Sequence, residues 1–307
     1  MSKLVELPLD EYDRDAFLSF DEASVDFDLG VARAMMWMSQ LAYETHVPGK
    51  IDQVAARLNL PPVRPLVQTV SNMPELTDTR GVIVRRGRAT IIAFAGTDPF
   101  HFLNWVNDFT LGKPVSPVHE GFRQAAKAVW VDVKAVMIAA LADTSPIFIT
   151  GHSLGAAIAV NIADFARDEL KLKNAQVYLY GCPRPGKAPF VTPYNDTFGK
   201  TTYRLVNGKD VVPTVPPPEF DFLHVGRYLP CERNAKFDAG GLTADFGSND
   251  PLENGGLLQR IVDLFRGRSP NTRADLIGIF SSIVVPPGIG DHLPDRYCAA
   301  LTPAKLL

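Results

Sequence analysis

The 307-residue sequence is poor in cysteine. Cys182, Cys231 and Cys298 are too few and too scattered for a disulfide framework or a zinc site. They read as small buried hydrophobes, with one bridge open to them in an oxidising compartment. Long hydrophobic runs are lacking too. The best stretch, 276–290, is interrupted by serines, prolines and glycines and falls short of the ~18 apolar residues of a membrane span. Neither sign of charge dominates: 31 Lys+Arg stand against 34 Asp+Glu, so no general basic surface for nucleic acid or anionic lipid is expected. The N-terminal segment is acidic between Asp10 and Asp28, without the basic and apolar regions of a signal peptide. A cytoplasmic location is the default expectation, with secretion the alternative if a signal has been removed or by a signal-less route. Histidine, cysteine and carboxylates nowhere cluster at metal-ligand spacing, and no calcium-loop pattern occurs. No metal, cofactor or protein partner is therefore expected.

What is present is an ordinary globular composition, 46% apolar and 21% charged. A chain this long can bury roughly three quarters of its unfolded surface. Residues 1–27 read as a charged arm extended over the surface. Residues 31–43 place Val31, Ala34, Met35, Met38, Leu41 and Ala42 at helical spacing. Pro61, Pro62 and Pro65 mark a loop, and 81–84 with 89–95 flank a turn as a hairpin. A long helix over 121–142 precedes a short strand at 147–150 and a helix running to about 170. Strands follow at 176–180, 202–206 and within 220–229. This alternation predicts an α/β protein with a mainly parallel sheet, read as one domain over 1–307 with an insertion at 231–273.

The chemistry centres on Gly151-His-Ser-Leu-Gly155. A serine between an apolar strand and a helix, flanked by two glycines, sits on a turn too sharp for side chains at the glycine positions. Ser153 needs a base and a group to orient that base. In the order serine, acid, histidine, the candidate bases are His224 and His292. His292 lies in a loop and is preferred over His224, which lies in an expected strand. His152, adjacent to the serine in the turn, should project away from it. For the acid, Asp210 follows the end of a strand, where ligands and catalytic groups gather in such sheets; Asp196 and Asp221 are the alternatives. An oxyanion hole requires donors aimed at developing negative charge. The Leu154 amide supplies one, and Thr97, at the end of Ala93-Phe-Ala-Gly-Thr97, is the candidate for the second. Gly-Thr there is equally consistent with a plain turn.

Together these segments resemble the fungal-type, class 3 triacylglycerol lipases of the α/β-hydrolase fold. Ala93 to Thr97 is similar to the family's oxyanion segment, Val118-His-Glu-Gly-Phe122 to the motif that follows, and Gly151 to Gly155 to its nucleophile elbow. Gly181-Cys-Pro-Arg-Pro-Gly186, the acid loop 204–213, His224-Val-Gly226 and His292-Leu-Pro-Asp-Arg-Tyr297 continue the match. Ala95 departs from it, standing where many members carry arginine. The resemblance implies the assignments Thr97, Asp210 and His292, and a hydrolase of acylglycerol esters working at a lipid–water interface. Carboxylesterase, phospholipase A1 and feruloyl-type esterase are alternatives on the same fold; a non-catalytic binding scaffold is a remote one.

Between Pro99 and Gly112, Phe102, Trp105, Val106 and Phe109 fall on one helical stripe. From periodicity this is equally a fixed core helix. The resemblance favours a lid over the site at 98–112, since the family carries a tryptophan-bearing lid there.

Overall fold

The protein is seen here as a computed structural model, which describes residues 5–69, 78–96, 116–216, 220–244, 246 and 287–303. In chain order the helices are α1 (Leu29–Ala42), α2 (Lys50–Arg57), α3 (Glu120–Ala142), α4 (Leu154–Leu170), α5 (Ala188–Phe198), α6 (Pro287–Asp291) and α7 (Pro294–Leu301). The strands are β1 (Arg64–Thr69), β2 (Asp78–Arg86), β3 (Ala89–Phe94), β4 (Ile147–His152), β5 (Gln176–Tyr180), β6 (Gly186–Lys187), β7 (Thr202–Asn207), β8 (Phe222–Leu223) and β9 (Arg227–Cys231).

Seven strands form one sheet in the order β1-β2-β3-β4-β5-β7-β9, while β6 and β8 pair separately. The first three strands are antiparallel neighbours, and every pairing from β3 to β9 is parallel. A parallel sheet must be covered on both faces, and the two-residue side-chain period divides its strands between two cores. Ile92, Phe94, Ile149, Val177 and Leu179 pack with α3, α4 and α5. Ile91, Ala93, Phe148, Tyr178, Tyr180, Tyr203 and Leu205 pack with α1 and α7. This mainly parallel sheet flanked by helices is an α/β-hydrolase fold.

Helix α1 is buried over its whole girth from Val31 to Ala42, not along a stripe. Its start is fixed by the Asp28 carboxylate, which accepts the Val31 amide at 2.8 Å. The segment before it is not a surface arm. Val5, Tyr12, Ala16 and Phe17 are buried in the α1 core, and the buried Glu44 carboxylate accepts the Tyr12 hydroxyl at 2.6 Å and the Leu7 amide at 3.2 Å. Apolar anchors spaced among charges, rather than any periodicity, hold it there.

The expected loop at the prolines is partly strand. Pro65 lies in β1, opposite Val82, and β1 is an edge strand, where a missing N–H is tolerated. The hairpin forms as expected, with Gly87 at φ +58° in its turn. The strand expected within 220–229 is instead β8 and β9, separated by His224, Val225 and Gly226. All three cysteines are buried and unbridged. Residues 247–273 of the expected insertion lie outside the described residues.

Candidate active site

Ser153 has φ +60° and ψ −128°, a backbone region that costs an L-residue strain. The turn closes because its flanks are glycine. A Cβ on Gly151 would overlap the carbonyl of Gly155, and a Cβ on Gly155 would overlap the backbone of Phe94 and Ala95. β4 ends at His152 and α4 begins at Leu154, so the serine stands at the C-terminal edge of the sheet. The Leu154 amide is one of the first-turn donors without an intrahelical acceptor, at the helix end that favours negative charge. The end of β3 lies against the same turn, since a Cβ on Gly96 would stand 2.7 Å from Cβ of Ser153. Thr97, which follows it, lies outside the described residues, as do Phe102, Trp105, Val106 and Phe109.

Asp210 follows β7 and is completely buried. Its Oδ1 accepts the Val212 amide at 2.8 Å. Its Oδ2 accepts Nδ1–H of His292 at 2.8 Å and the hydroxyl of Tyr297 at 2.6 Å. A carboxylate oxygen only accepts, so Nδ1 of His292 carries the proton and Nε2 is left as a base. Gly181 lies against this pair: at φ +56°, its added Cβ would sit 2.6 Å from Oδ2 of Asp210 and 2.9 Å from Nδ1 of His292. The loops that carry acid and base are tied together beside the pair. Asn207 donates its side-chain amide to the carbonyl of Asp291 at 3.0 Å, and the Lys209 amide donates to Oδ2 of Asp291 at 2.8 Å. Arg233 pairs with the same buried carboxylate at 2.9 Å.

The alternatives fall elsewhere. Asp196 is exposed on α5, and Asp221 is exposed in a turn at φ +63°. His224 is buried, and burial, reinforced by the charges of Arg204 and Arg184, holds its imidazole well below the usual range. His152, expected to project away from Ser153, stacks its ring on that of His292 with centroids 4.6 Å apart. Burial first, and the neighbouring His292 second, hold its pKa far below the ordinary histidine value. Ser153 is 2% exposed and His292 4%.

Tyr297, Gly181, Asn207 and Asp291 were not picked out as site residues by sequence reasoning. His292 precedes the start of α7 while Tyr297 lies within it, so no helical period links them. A tyrosine shortly after the base was visible through the resemblance alone. Among the described residues no group of three or more metal-ligating side chains occurs. No described helix is long and apolar enough to cross a membrane.

A family model described as lipase (class 3) matches residues 91–220, which include the elbow and Asp210. A lipase of Rhizopus niveus is 35% identical over 162 residues, 49% of this chain and 41% of that protein. The secreted mono- and diacylglycerol lipase 1 of Fusarium solani is 34% identical over 131 residues, 39% of this chain and 38% of that protein. The chain thus spans less than half the length of these relatives. Among solved structures, a triacylglycerol lipase described as having a serine-protease triad in its catalytic centre aligns with TM-score 0.57 at 26% identity. That alignment covers 73% of this chain and 87% of the other. The default of a cytoplasmic location finds no support in relatives named as secreted.

Proposed function

Because this chain belongs to the class 3 lipase family, we propose that it is a serine ester hydrolase cleaving acylglycerols through an acyl-enzyme on Ser153. The observation that carries this reading is the buried Asp210–His292 pair at 2.8 Å, whose imidazole stacks on His152, the residue before a serine held at positive φ on a strand-to-helix turn. Nε2 of His292 takes the Ser153 proton as Oγ attacks the ester carbonyl, and Asp210 stabilises the resulting imidazolium. The Leu154 amide, with Thr97, holds the oxyanion at the N-terminus of α4. The alcohol leaves with the proton from His292. Water then attacks the acyl-enzyme by the same route, restoring Ser153.

The substrate class, mono-, di- or triacylglycerol, is proposed from the names of the relatives, and so is secretion. Ser153 is almost wholly buried, which is compatible with a cover over the site. Segment 98–112, with Phe102, Trp105, Val106 and Phe109, is proposed as a lid that turns toward lipid at an interface.

A fluorophosphonate probe tests the chemistry. Labelling of the wild-type protein, abolished in Ser153→Ala together with hydrolysis of p-nitrophenyl butyrate and emulsified tributyrin, is expected. An unlabelled, inactive but folded wild-type protein would make the chain a binding scaffold.

A further inference from the structure

His292 stands between the end of α6 and the start of α7. The helical hydrogen bonds that fix most buried side chains thus do not set its backbone. Its Nδ1 is held by Asp210 at 2.8 Å. Its ring plane and its main chain are both met by a single neighbour, His152. His152 stacks on it, with rings inclined by 29° and centroids 4.6 Å apart. Nε2 of His152 lies 2.8 Å from the main-chain oxygen of His292. His152 thus grips both the ring and the backbone of the residue it touches.

The tautomer of His152 follows from its partners. A carbonyl oxygen only accepts, so Nε2 must carry the proton, which leaves Nδ1 as an acceptor. The hydroxyl of Tyr43 lies 2.8 Å from Nδ1 and donates to it. Tyr43 therefore selects the tautomer that can hold the His292 carbonyl. Tyr297 closes the enclosure edge-on, with its ring centroid 5.5 Å from that of His152, while its hydroxyl binds Asp210. The titratable groups facing His152 are thus His292, Tyr43 and Tyr297, with Asp210 one step behind.

We propose that His152 is a positioning residue for the base, a neutral imidazole that holds the ring and main chain of His292 in line with Asp210, with its tautomer set by Tyr43. This rests on the reading of Ser153, His292 and Asp210 given above. It assigns a purpose to the residue preceding the nucleophile, which neither attacks nor transfers a proton. Small displacements of a general base are costly, with an ångström worth about a hundredfold in rate.

The test uses the full chain and two variants. His152→Phe keeps a flat ring and loses both hydrogen bonds; Tyr43→Phe removes one oxygen and frees the tautomer. In His152→Phe, kcat for p-nitrophenyl butyrate should fall about 10- to 100-fold while KM stays within about twofold. Misalignment weakens the hold of Asp210 on the imidazolium, so the acid limb of kcat/KM should move down by about half a pH unit. Tyr43→Phe should lower kcat by about three- to tenfold with a limb displaced in the same direction. A purely structural role would lower the yield or melting temperature of active protein and leave that limb in place. Wild-type kcat and an unmoved limb in folded Tyr43→Phe and His152→Phe overturn the proposal. If His152→Phe does not fold, Tyr43→Phe decides alone. Ser153-dependent probe labelling of the wild type, measured in parallel, separates this failure from failure of the esterase reading.

Discussion

The hydroxyl of Tyr297 donates to Oδ2 of Asp210 at 2.6 Å, the same oxygen that holds Nδ1 of His292 at 2.8 Å. The tyrosine shares the carboxylate charge with the imidazole and fixes the oxygen that the imidazole must find. It also accepts the Asn207 amide at 3.2 Å, joining the end of β7 to α7.

Tyr297→Phe should therefore lower kcat by about tenfold and stability by about 1.5–3 kcal/mol, the range for a hydrogen bond to a charged group. With one donor fewer, Asp210 pulls harder on the imidazolium. The acid limb of kcat/KM should then move to higher pH, opposite to the shift expected for His152→Phe. Steady-state rates across pH 5 to 9 with urea unfolding check both, and a downward shift would contradict the charge-sharing account.

Asp210→Asn should fold and lose roughly 10⁴ in kcat, because an amide no longer selects the working tautomer of the base. Asp196→Asn, on the exposed face of α5, should retain wild-type activity. His224→Ala, at a buried ring remote in role from the chemistry, should cost stability more than turnover. A folded but inactive His224→Ala protein would move the base assignment away from His292.

The two glycine contacts should separate activity from stability. Gly181→Ala places a methyl against Asp210 and His292 and a side chain at positive φ. It should destabilise by about 1–2 kcal/mol and lower kcat by about a hundredfold. Gly155→Ala meets backbone rather than side chains and should cost several kcal/mol, about 3 or more, with poor recovery of folded protein. Equal melting temperatures for the two variants would contradict this.

Stability should fall as the solution is acidified below pH 6.5. His152 and His224 have folded pKa values well below the ordinary one, and half-buried His119 is lowered to about 4 by burial. Below pH 6.5 the unfolded chain therefore binds protons that the folded chain refuses, and each such histidine removes about 1.4 kcal/mol per pH unit. The loss from His119 ends near pH 4. Asp164 and Asp295, raised chiefly by burial, oppose it at lower pH by taking up protons more readily when folded. Urea midpoints at pH 7.5, 6 and 5 should fall in that order. A flat series would show that these rings accept protons in the folded state.

The proposed lid predicts a rate that rises abruptly as tributyrin passes its solubility limit. Four large apolar side chains at ~1.5–3 kcal/mol each make an open stripe costly in water and favourable against lipid. Trp105→Ser should reduce the jump and leave hydrolysis of dissolved p-nitrophenyl butyrate within about threefold. Smooth saturation below the limit, without a jump, would point to a plain esterase.

The sharp turn at Ser153 was legible in the sequence because its requirements are local. A strand, a serine at positive φ, two glycines and a helix occupy consecutive residues, and backbone sterics alone demand them. The hairpin around Gly87 and the helices beginning at Leu29 and Glu120 were readable for the same reason, although their ends and the complete burial of α1 were not. The edge strand carrying Pro65 was hidden, because whether a proline interrupts a strand depends on which neighbour the strand has. The same limit applies at the site. Asp210 and His292 are 82 residues apart, and spacing could rank them but not bring them into contact. The sheet order puts β7 beside β5, so that Gly181 meets the pair, and α7 then carries Tyr297 to the same carboxylate oxygen that holds His292. His152 shows the division most clearly. Sequence placed it beside Ser153 with its side chain directed away from that serine, but not what its ring would meet, because the ring and carbonyl of His292 and the hydroxyl of Tyr43 come together only in the folded chain.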